Sequence, residues 1–388
     1  MNKQHYFLNR ADESEQLIYK DLLERLNNDF PVGWDNQIED FSFIMLKPNA
    51  YLSDVIPEII AKIKANNIEV MAYKLEKLTE EHLDNLYCFI KAKYANSWWV
   101  MQKVYSLAPC LVAILKGKKH GYNHLSSRVR SLVGSTTPII SSDATIRYAP
   151  YSMTRIFNTI HATDDPASAI REALVFFSKE ELLAILTTPA VIKTNELLNN
   201  SGIHVPQIKK LTSFAGIKYQ LKKSLLEEVI VIIKNSQSNE FSLIEDSIHQ
   251  LRDLFDKEKV IIDQTLNLRE EFYRLAPILN LEKICYMFID RSAEQSIRNC
   301  YRKSNFLSDD QHFIDVISTV RRLIKLLLPL SDDALFFSMN EFEIYLSDIS
   351  LTAFKLPQFD QAMLLGCWAG ALEEMRDIST KWPVEEII

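Results

Sequence analysis

The chain has 388 residues, of which 47% are hydrophobic and 24% charged, the balance of a water-soluble globular protein and too long for one ordinary core. A formal net charge of −7 argues against broad, charge-driven binding to nucleic acid or other polyanions. The five cysteines, Cys88, Cys110, Cys285, Cys300 and Cys367, form no CxxC pair and no metal-ligand spacing, so they read as reduced core thiols of a cytoplasmic protein. The first residues carry no apolar signal core, and no uninterrupted apolar run approaches a membrane span, so no membrane partner is expected.

Residues 1–40 read as an N-terminal helical extension. Leu17, Ile18, Leu22, Leu23 and Leu26 give helical spacing, which Asn27 to Trp34 breaks. Short elements then alternate. Phe41 to Lys47 reads as a strand ended by Pro48-Asn49. Asp54 is set to cap a helix with Ile56, Ile59, Ile60 and Ile63 on one face, and Asn66-Asn67 turns the chain into a second strand at Ile68–Leu75. Glu80 to Tyr94 is expected as helix, Pro109 to Leu115 as a near-continuous apolar strand, and Asn123 to Val133 as a helix ended by Gly134. Asn158 to His161 is the fourth strand, and Pro166 fits the first turn of the helix after it. The order β-α-β-α-β-α-β-α with short connections indicates an α+β fold with one four-stranded sheet.

After Leu186 the pattern changes. Thr187 to Ala190 and Asn199 to Gly202 mark a boundary, and from about residue 215 nearly everything is helix-periodic. Helices are expected over 219–235, 241–256, 259–275, 281–301, 332–347 and 359–378. Another follows the capping box at Ser308-Asp-Asp-Gln311 and is stopped by Pro329. The expected organisation is therefore an extension (1–40), an α+β domain (41–190) and an all-α bundle (191–388) of unknown role.

The chemistry concentrates in the α+β segment. His161 ends a short apolar strand, and a capped turn leads from it to a helix carrying Glu172. A histidine so placed can accept a phosphoryl group while a carboxylate orients its ring. Lys47, Arg130 and Arg147 can supply positive charge to phosphate oxygens, and Thr136 a hydroxyl donor. In the helical half, His249 and His312 stand alone and Glu373 to Asp377 reads as a solvated helix face.

Five ordered motifs carry a resemblance. They are Phe43-Ile-Met-Leu-Lys47-Pro48; Arg130-Ser-Leu-Val-Gly134-Ser-Thr136-Thr-Pro138; Thr145-Ile-Arg147; Asn158-Thr-Ile-His161-Ala-Thr163-Asp164; and Glu172 in the next helix. Over roughly 41–186 the chain resembles the nucleoside diphosphate kinase family. The resemblance implies a ferredoxin-like, four-stranded antiparallel sheet with helices. It implies ping-pong transfer of the γ-phosphate of ATP or another nucleoside triphosphate to a nucleoside diphosphate through phospho-His161. It implies Glu172 and Lys47 beside the nucleophile, with Lys47 and Asn158 near the ribose. Arg130, Thr136 and Arg147 then hold the phosphates, and Thr163 is an orienting hydroxyl. Trp98 or Trp99 can clamp the base by stacking, Trp99 being taken as the nucleotide-binding residue. The resemblance also implies Mg²⁺ held mainly by the nucleotide's phosphates, with no dedicated ligand cluster, and a homo-oligomer.

Departures from the family pattern fall on the base side. Ala162 and Thr163 replace Gly-Ser, Asn49-Ala50 replaces Asp-Gly, Tyr148-Ala149-Pro150 replaces Gly-Asp, and Leu83 stands where a tyrosine is common. A remodelled base side implies a stronger acceptor preference than is usual for the family. Two other functions compete with the kinase: a phosphotransferase using His161 on a small-molecule or protein acceptor, and a non-enzymatic nucleotide-binding module.

Overall fold

The computed structural model describes residues 3–52, 55–92, 95, 98–136, 144–147, 158–187, 214–236, 242–264, 268–302, 307–331, 339–350 and 364. Contacts divide the chain into two units, Met1–Leu211 and Thr212–Ile388. The expectations for Asp54, for Tyr148 to Pro150 and for the helix at 359–378 (Leu364 apart) lie outside the described residues.

The first unit is built on one antiparallel sheet of β1 (Phe41–Leu46), β2 (Ile68–Glu76), β3 (Cys110–Gly117) and β4 (Ile160–Ala162), in the order β2-β3-β1-β4. This is the ferredoxin-like arrangement. β1 is buried along its whole length and β3 over its first six residues. Helices cover both faces of these strands, which is why they read in the sequence as unbroken apolar runs rather than alternations. Alternation nonetheless sorts the two cores. Phe41, Phe43 and Met45 join Cys110, Val112 and Ile114 on one face, and Ile44 and Leu46 join Leu111, Ala113 and Leu115 on the other.

The second face is closed by α4 (Ile56–Ala65) and α7 (Leu125–Val133), through Ile56, Ile59, Ile60, Ile63, Leu125, Val129 and Val133. The first face is closed by α8 (Pro166–Ala173) and α9 (Lys179–Thr187), by α5 (Glu80–Leu86) and α6 (Trp98–Tyr105), and by the extension itself. The extension folds as α1 (His5–Leu8), α2 (Glu13–Asp29) and a 3₁₀ helix over Trp34–Asp40. Phe7, Tyr19, Leu22, Leu23, Leu26, Phe30 and Trp34 share a core with the sheet, so the extension is an integral layer of this unit. Three local readings change. Pro48-Asn49 opens a further helical turn, α3 (Pro48–Leu52), rather than a loop. The helix at Glu80 ends at Leu86, followed by turns through residue 92. Cys88 is exposed, whereas Cys110, Cys285 and Cys300 are buried thiols as expected.

The second unit is helical: α10 (Phe214–Ser236), α11 (Ser242–Gln264), α12 (Leu268–Tyr301), α13 (Ser308–Ser331) and α14 (Met339–Ser350). Successive helices α10 to α13 pack on one another and α13 returns to α10, closing a four-helix ring. The breaks expected near residues 257 and 278 are absent, because α11 runs to Gln264 and α12 runs through Pro277 without ending. Pro329, expected to stop this helix, lies two residues before its end at Ser331. Within the ring, the fully buried Lys222 ammonium lies 2.7 Å from Glu258 and 2.7 Å from Glu282, and Ser331 Oγ donates to Glu282 at 2.7 Å. Burial raises the Glu258 carboxyl to about 7, with Lys222 opposing and Glu282 adding to the rise.

Removing the cation from this cluster leaves two buried carboxylates facing each other. Lys222→Met is therefore expected to destabilise the helical unit by about 3 kcal/mol. Hydrogen exchange across α10–α13 in the intact chain should accelerate accordingly. Unchanged protection there would mean that the ammonium is not what holds the two carboxylates.

Candidate active site

The site grows from the end of β1 and from β4 beside it. In the antiparallel register His161 stands opposite Met45 and Ile160 opposite Leu46. Residues two apart on a strand share a face, so Lys47 continues the row of Phe43 and Met45 and comes to the same side of the sheet as His161. The Lys47 backbone N–H donates to Thr159 at 2.9 Å, which locks the end of β1 against the lead-in to β4.

Behind His161 lies α8. Asp165 caps it, accepting from the Ser168 N–H at 2.9 Å, and Pro166 occupies its first turn, where a missing N–H costs nothing. Ala167, Ala169 and Ala173 let the helix lie close on the sheet, and Glu172 projects from it to the histidine. His161 Nε2 and Glu172 Oε2 are 2.6 Å apart. An ionised carboxylate has only acceptors, so Nε2 carries the ring proton and donates, and Nδ1 bears the lone pair. The histidine side chain is 19% exposed and the glutamate 8%, which leaves the ring a solvent-facing edge over a shielded carboxylate.

Positive charge gathers nearby. Lys47 is buried, its ammonium 5.7 Å from the Tyr105 ring centroid. Burial, with Arg147 adding to it, pulls its pKa down to about 7. Arg147 is buried too, and its pKa is pulled down to about 10 by burial and by Arg130. Its Nη2 donates to the Ile160 carbonyl at 2.7 Å, and its Nη1 donates to the Gly134 carbonyl at 3.1 Å and to Thr136 Oγ1 at 3.3 Å. The side chain thereby ties the loop after α7 to the strand that carries His161. Gly134 takes φ +88 there, and a Cβ would stand 2.7 Å from the Thr145 side chain, so the position calls for glycine. Arg130 is half-buried at the rim and pairs with Asp164 at 3.0 Å.

The fold thus brings His161 and Glu172 into direct contact and sets Arg147 against both Thr136 and Ile160, next to the histidine. Asn158 is fully buried one residue before the Thr159 contact. Thr163 lies elsewhere: its hydroxyl donates to the Phe43 carbonyl at 3.2 Å and meets Ser42 and Ser126, pinning β4 to β1. Trp98 is buried edge-on to Tyr87, a core position, whereas Trp99 is half-exposed with the Lys103 ammonium 5.8 Å from its ring centroid.

Two tyrosines escaped the sequence reading. Tyr87, immediately after α5, packs edge-on to His161 with centroids 5.3 Å apart, and its hydroxyl meets that of Tyr105 at 2.7 Å. Leu83, which stands where a tyrosine was expected from the resemblance, is a core residue one helical turn earlier. The usable signal was the four-residue step from Leu83 to Tyr87, which keeps both on one helix face.

The family model described as nucleoside diphosphate kinase matches residues 40–182. The nucleoside diphosphate kinase of Kosmotoga olearia is 29% identical over 142 residues, spanning 37% of this chain and 91% of that protein. That of Methanobrevibacter smithii is 29% identical over 149 residues, spanning 36% and 89%. Among solved structures, the nucleoside diphosphate kinase of Encephalitozoon cuniculi is 24% identical with a TM-score of 0.33, covering 37% of this chain and 91% of that one. The Aquifex aeolicus nucleoside diphosphate kinase is 23% identical with a TM-score of 0.33, covering 37% and 97%. Residues 40–182 of this chain are a domain of the nucleoside diphosphate kinase family.

Proposed function

We propose that this domain is a nucleoside diphosphate kinase that works by a ping-pong mechanism through phospho-His161. The observation that carries the reading is the 2.6 Å pair of Nε2 and Glu172, which fixes the neutral tautomer with its lone pair on Nδ1. Nδ1 attacks the γ-phosphorus of a nucleoside triphosphate. The N–P bond forms as the bond to the bridging β,γ-oxygen breaks, and the nucleoside diphosphate leaves with that electron pair. A second diphosphate then enters. A terminal oxygen of its β-phosphate attacks the phosphorus, the N–P bond breaks, and the neutral imidazole returns. The proton on Nε2 stays in place throughout, and Glu172 stabilises the positive charge that builds on the ring during each transfer.

The cations suit the phosphates. Lys47, Arg147 and Arg130 spread positive charge from the buried end of β1 to the rim, where phosphoryl transfer needs it. The donor set also suits a Mg²⁺ ion carried by the nucleotide. Mg²⁺ characteristically keeps phosphate oxygens and waters as ligands. Asp164, exposed beside Arg130, is the carboxylate on that side. Bound in this way, the ion would neutralise charge developing on the phosphate oxygens. Trp99, half-exposed, would stack on the base in this reading. Catalysis in the cytoplasm by a homo-oligomer completes the reading.

Incubation with γ-labelled ATP and Mg²⁺ should leave an acid-labile, base-stable label on the chain that is absent in His161→Ala. Label that survives that substitution would refute the nucleophile. With His161 labelled, transfer to ADP, GDP, CDP and UDP reads the acceptor; failure with all four would favour a different acceptor.

Lys47 makes nucleotide binding depend on pH. In the free protein its pKa is held near 7, so above that pH it is largely neutral. Incoming phosphates favour the charged form, so binding at pH 8 should take up roughly one proton per nucleotide, and affinity should weaken as pH rises past 7. Calorimetric titration with ADP in buffers of different ionisation enthalpy measures this. A binding enthalpy independent of buffer would show that Lys47 stays charged in the free site.

A further inference from the structure

The extension lies outside residues 40–182, yet it reaches the residue next to Glu172. Tyr19 on α2 is 2% exposed, and its hydroxyl stands 2.9 Å from Ser168 Oγ and 3.2 Å from Arg171 Nε. Both partners belong to α8. Ser168 Oγ donates to Asp165 Oδ2 at 3.0 Å, so it accepts from the Tyr19 hydroxyl, which in turn accepts from Arg171. Asp165 is held from the other side by Arg10, which donates to both its carboxylate oxygens at 2.7 and 2.9 Å and lies 3.7 Å over the Tyr19 ring. One directed chain therefore runs from Arg171 through Tyr19 and Ser168 to Asp165, and it closes on Arg10. It clamps the helix carrying Glu172 at its first turn and its last.

Arg171 passes this constraint to the site. Its Nη2 donates to Glu172 Oε1 at 3.1 Å, the oxygen not used by His161. Nη2 and Nη1 also donate to the carbonyls of Leu86 at 3.1 Å and Asn85 at 2.7 Å. Those carbonyls immediately precede Tyr87, whose ring meets the histidine edge-on. A single guanidinium thus sets both the carboxylate that orients His161 and the aromatic wall beside it. A planar fork with fixed donors can do this, and a flexible ammonium cannot. The Phe89 ring, 5.0 Å from Arg171 and stacked on Tyr19 at 5.7 Å, closes the group on its remaining side.

We infer that Tyr19 is a positioning residue for phosphoryl transfer, acting through Arg171 on Glu172 and Tyr87, so that the extension outside the family domain sets the geometry of His161. The inference rests on His161 being the phosphoryl acceptor. It adds that a chain lacking this hydroxyl keeps the nucleophile but presents it less well.

Tyr19→Phe in the full chain removes one oxygen and nothing else. It should slow single-turnover phosphorylation of His161 by ATP about tenfold, the scale of one lost buried hydrogen bond, while nucleotide affinity stays within about twofold. The same substitution in a Glu172→Gln background should add no further loss, because its effect travels through that carboxylate; a merely structural role would add its cost in both backgrounds. Tyr6→Phe removes a hydroxyl of the same extension that meets Glu39, away from the histidine, and should leave the rate unchanged. If Tyr19→Phe does not fold, Arg171→Lys gives the same slowing by loss of the fork. An unchanged rate in a wild-type-like fold overturns the inference and leaves the kinase reading intact. If the wild-type chain forms no phosphohistidine, the kinase reading fails, and the ¹⁵N signals of the His161 ring decide separately. The inference expects the Nδ1–H tautomer to grow in Tyr19→Phe, and an unchanged tautomer overturns it.

Discussion

One hydrogen bond organises the first unit: Nε2 of His161 donating to Glu172 across 2.6 Å. It joins a strand to a helix, and each side of the contact is secured by separate parts of the fold. The strand side is held by pairing with β1 and by the Arg147 guanidinium on the Ile160 carbonyl. The helix side is held by the Asp165 cap, by alanines that allow close packing, and by Arg171. If either side slips, the imidazole loses its tautomer preference and its aim together, since a neutral ring has one donor and one acceptor to place.

The charge around that bond is deliberately unbalanced. Lys47 and Arg147 are both buried and both pulled below their ordinary pKa values, burial being the larger cause. Placing two cations in a shielded pocket is unfavourable for the free protein, and Arg147 relieves part of it by donating to backbone carbonyls. The remainder fits a site whose ligand brings several negative charges of its own. On the proposed reading, bound phosphates would draw Lys47 into its charged form in a water-poor setting, where fixed cations stabilise developing charge better than mobile ions in solvent.

Much of this was legible in the residues. The unbroken apolar runs of β1 and β3, the Pro166 turn and the Gly134 terminus located the sheet and the helix ends, because each reflects a local constraint that sequence expresses directly. His161, Glu172 and Lys47 were legible because they fall at strand ends and in the helix that follows, and Arg147 through the motif Thr145-Ile-Arg147. The misses were tertiary. Tyr87 meets the histidine only through tertiary packing, and the four-residue step from Leu83 is its one local trace. Thr163, expected as an orienting hydroxyl, lies one residue past the end of β4, and its hydroxyl donates to the Phe43 carbonyl. The extension looked like an appendage because amphipathic spacing reveals an apolar stripe and not what the stripe covers. In the helical half, the breaks expected between 256 and 259 and between 275 and 281 are absent, because packing on neighbouring helices outweighs weak local signals, Pro277 included.

The proposed function depends on which imidazole nitrogen receives the phosphoryl group. ³¹P–¹⁵N correlation spectroscopy of the ATP-treated, ¹⁵N-histidine-labelled chain reads it directly. The geometry predicts phosphorus bonded to Nδ1, with Nε2 still protonated and hydrogen-bonded. Phosphorus on Nε2 would contradict the account, because that nitrogen would have to abandon Glu172 before it could react.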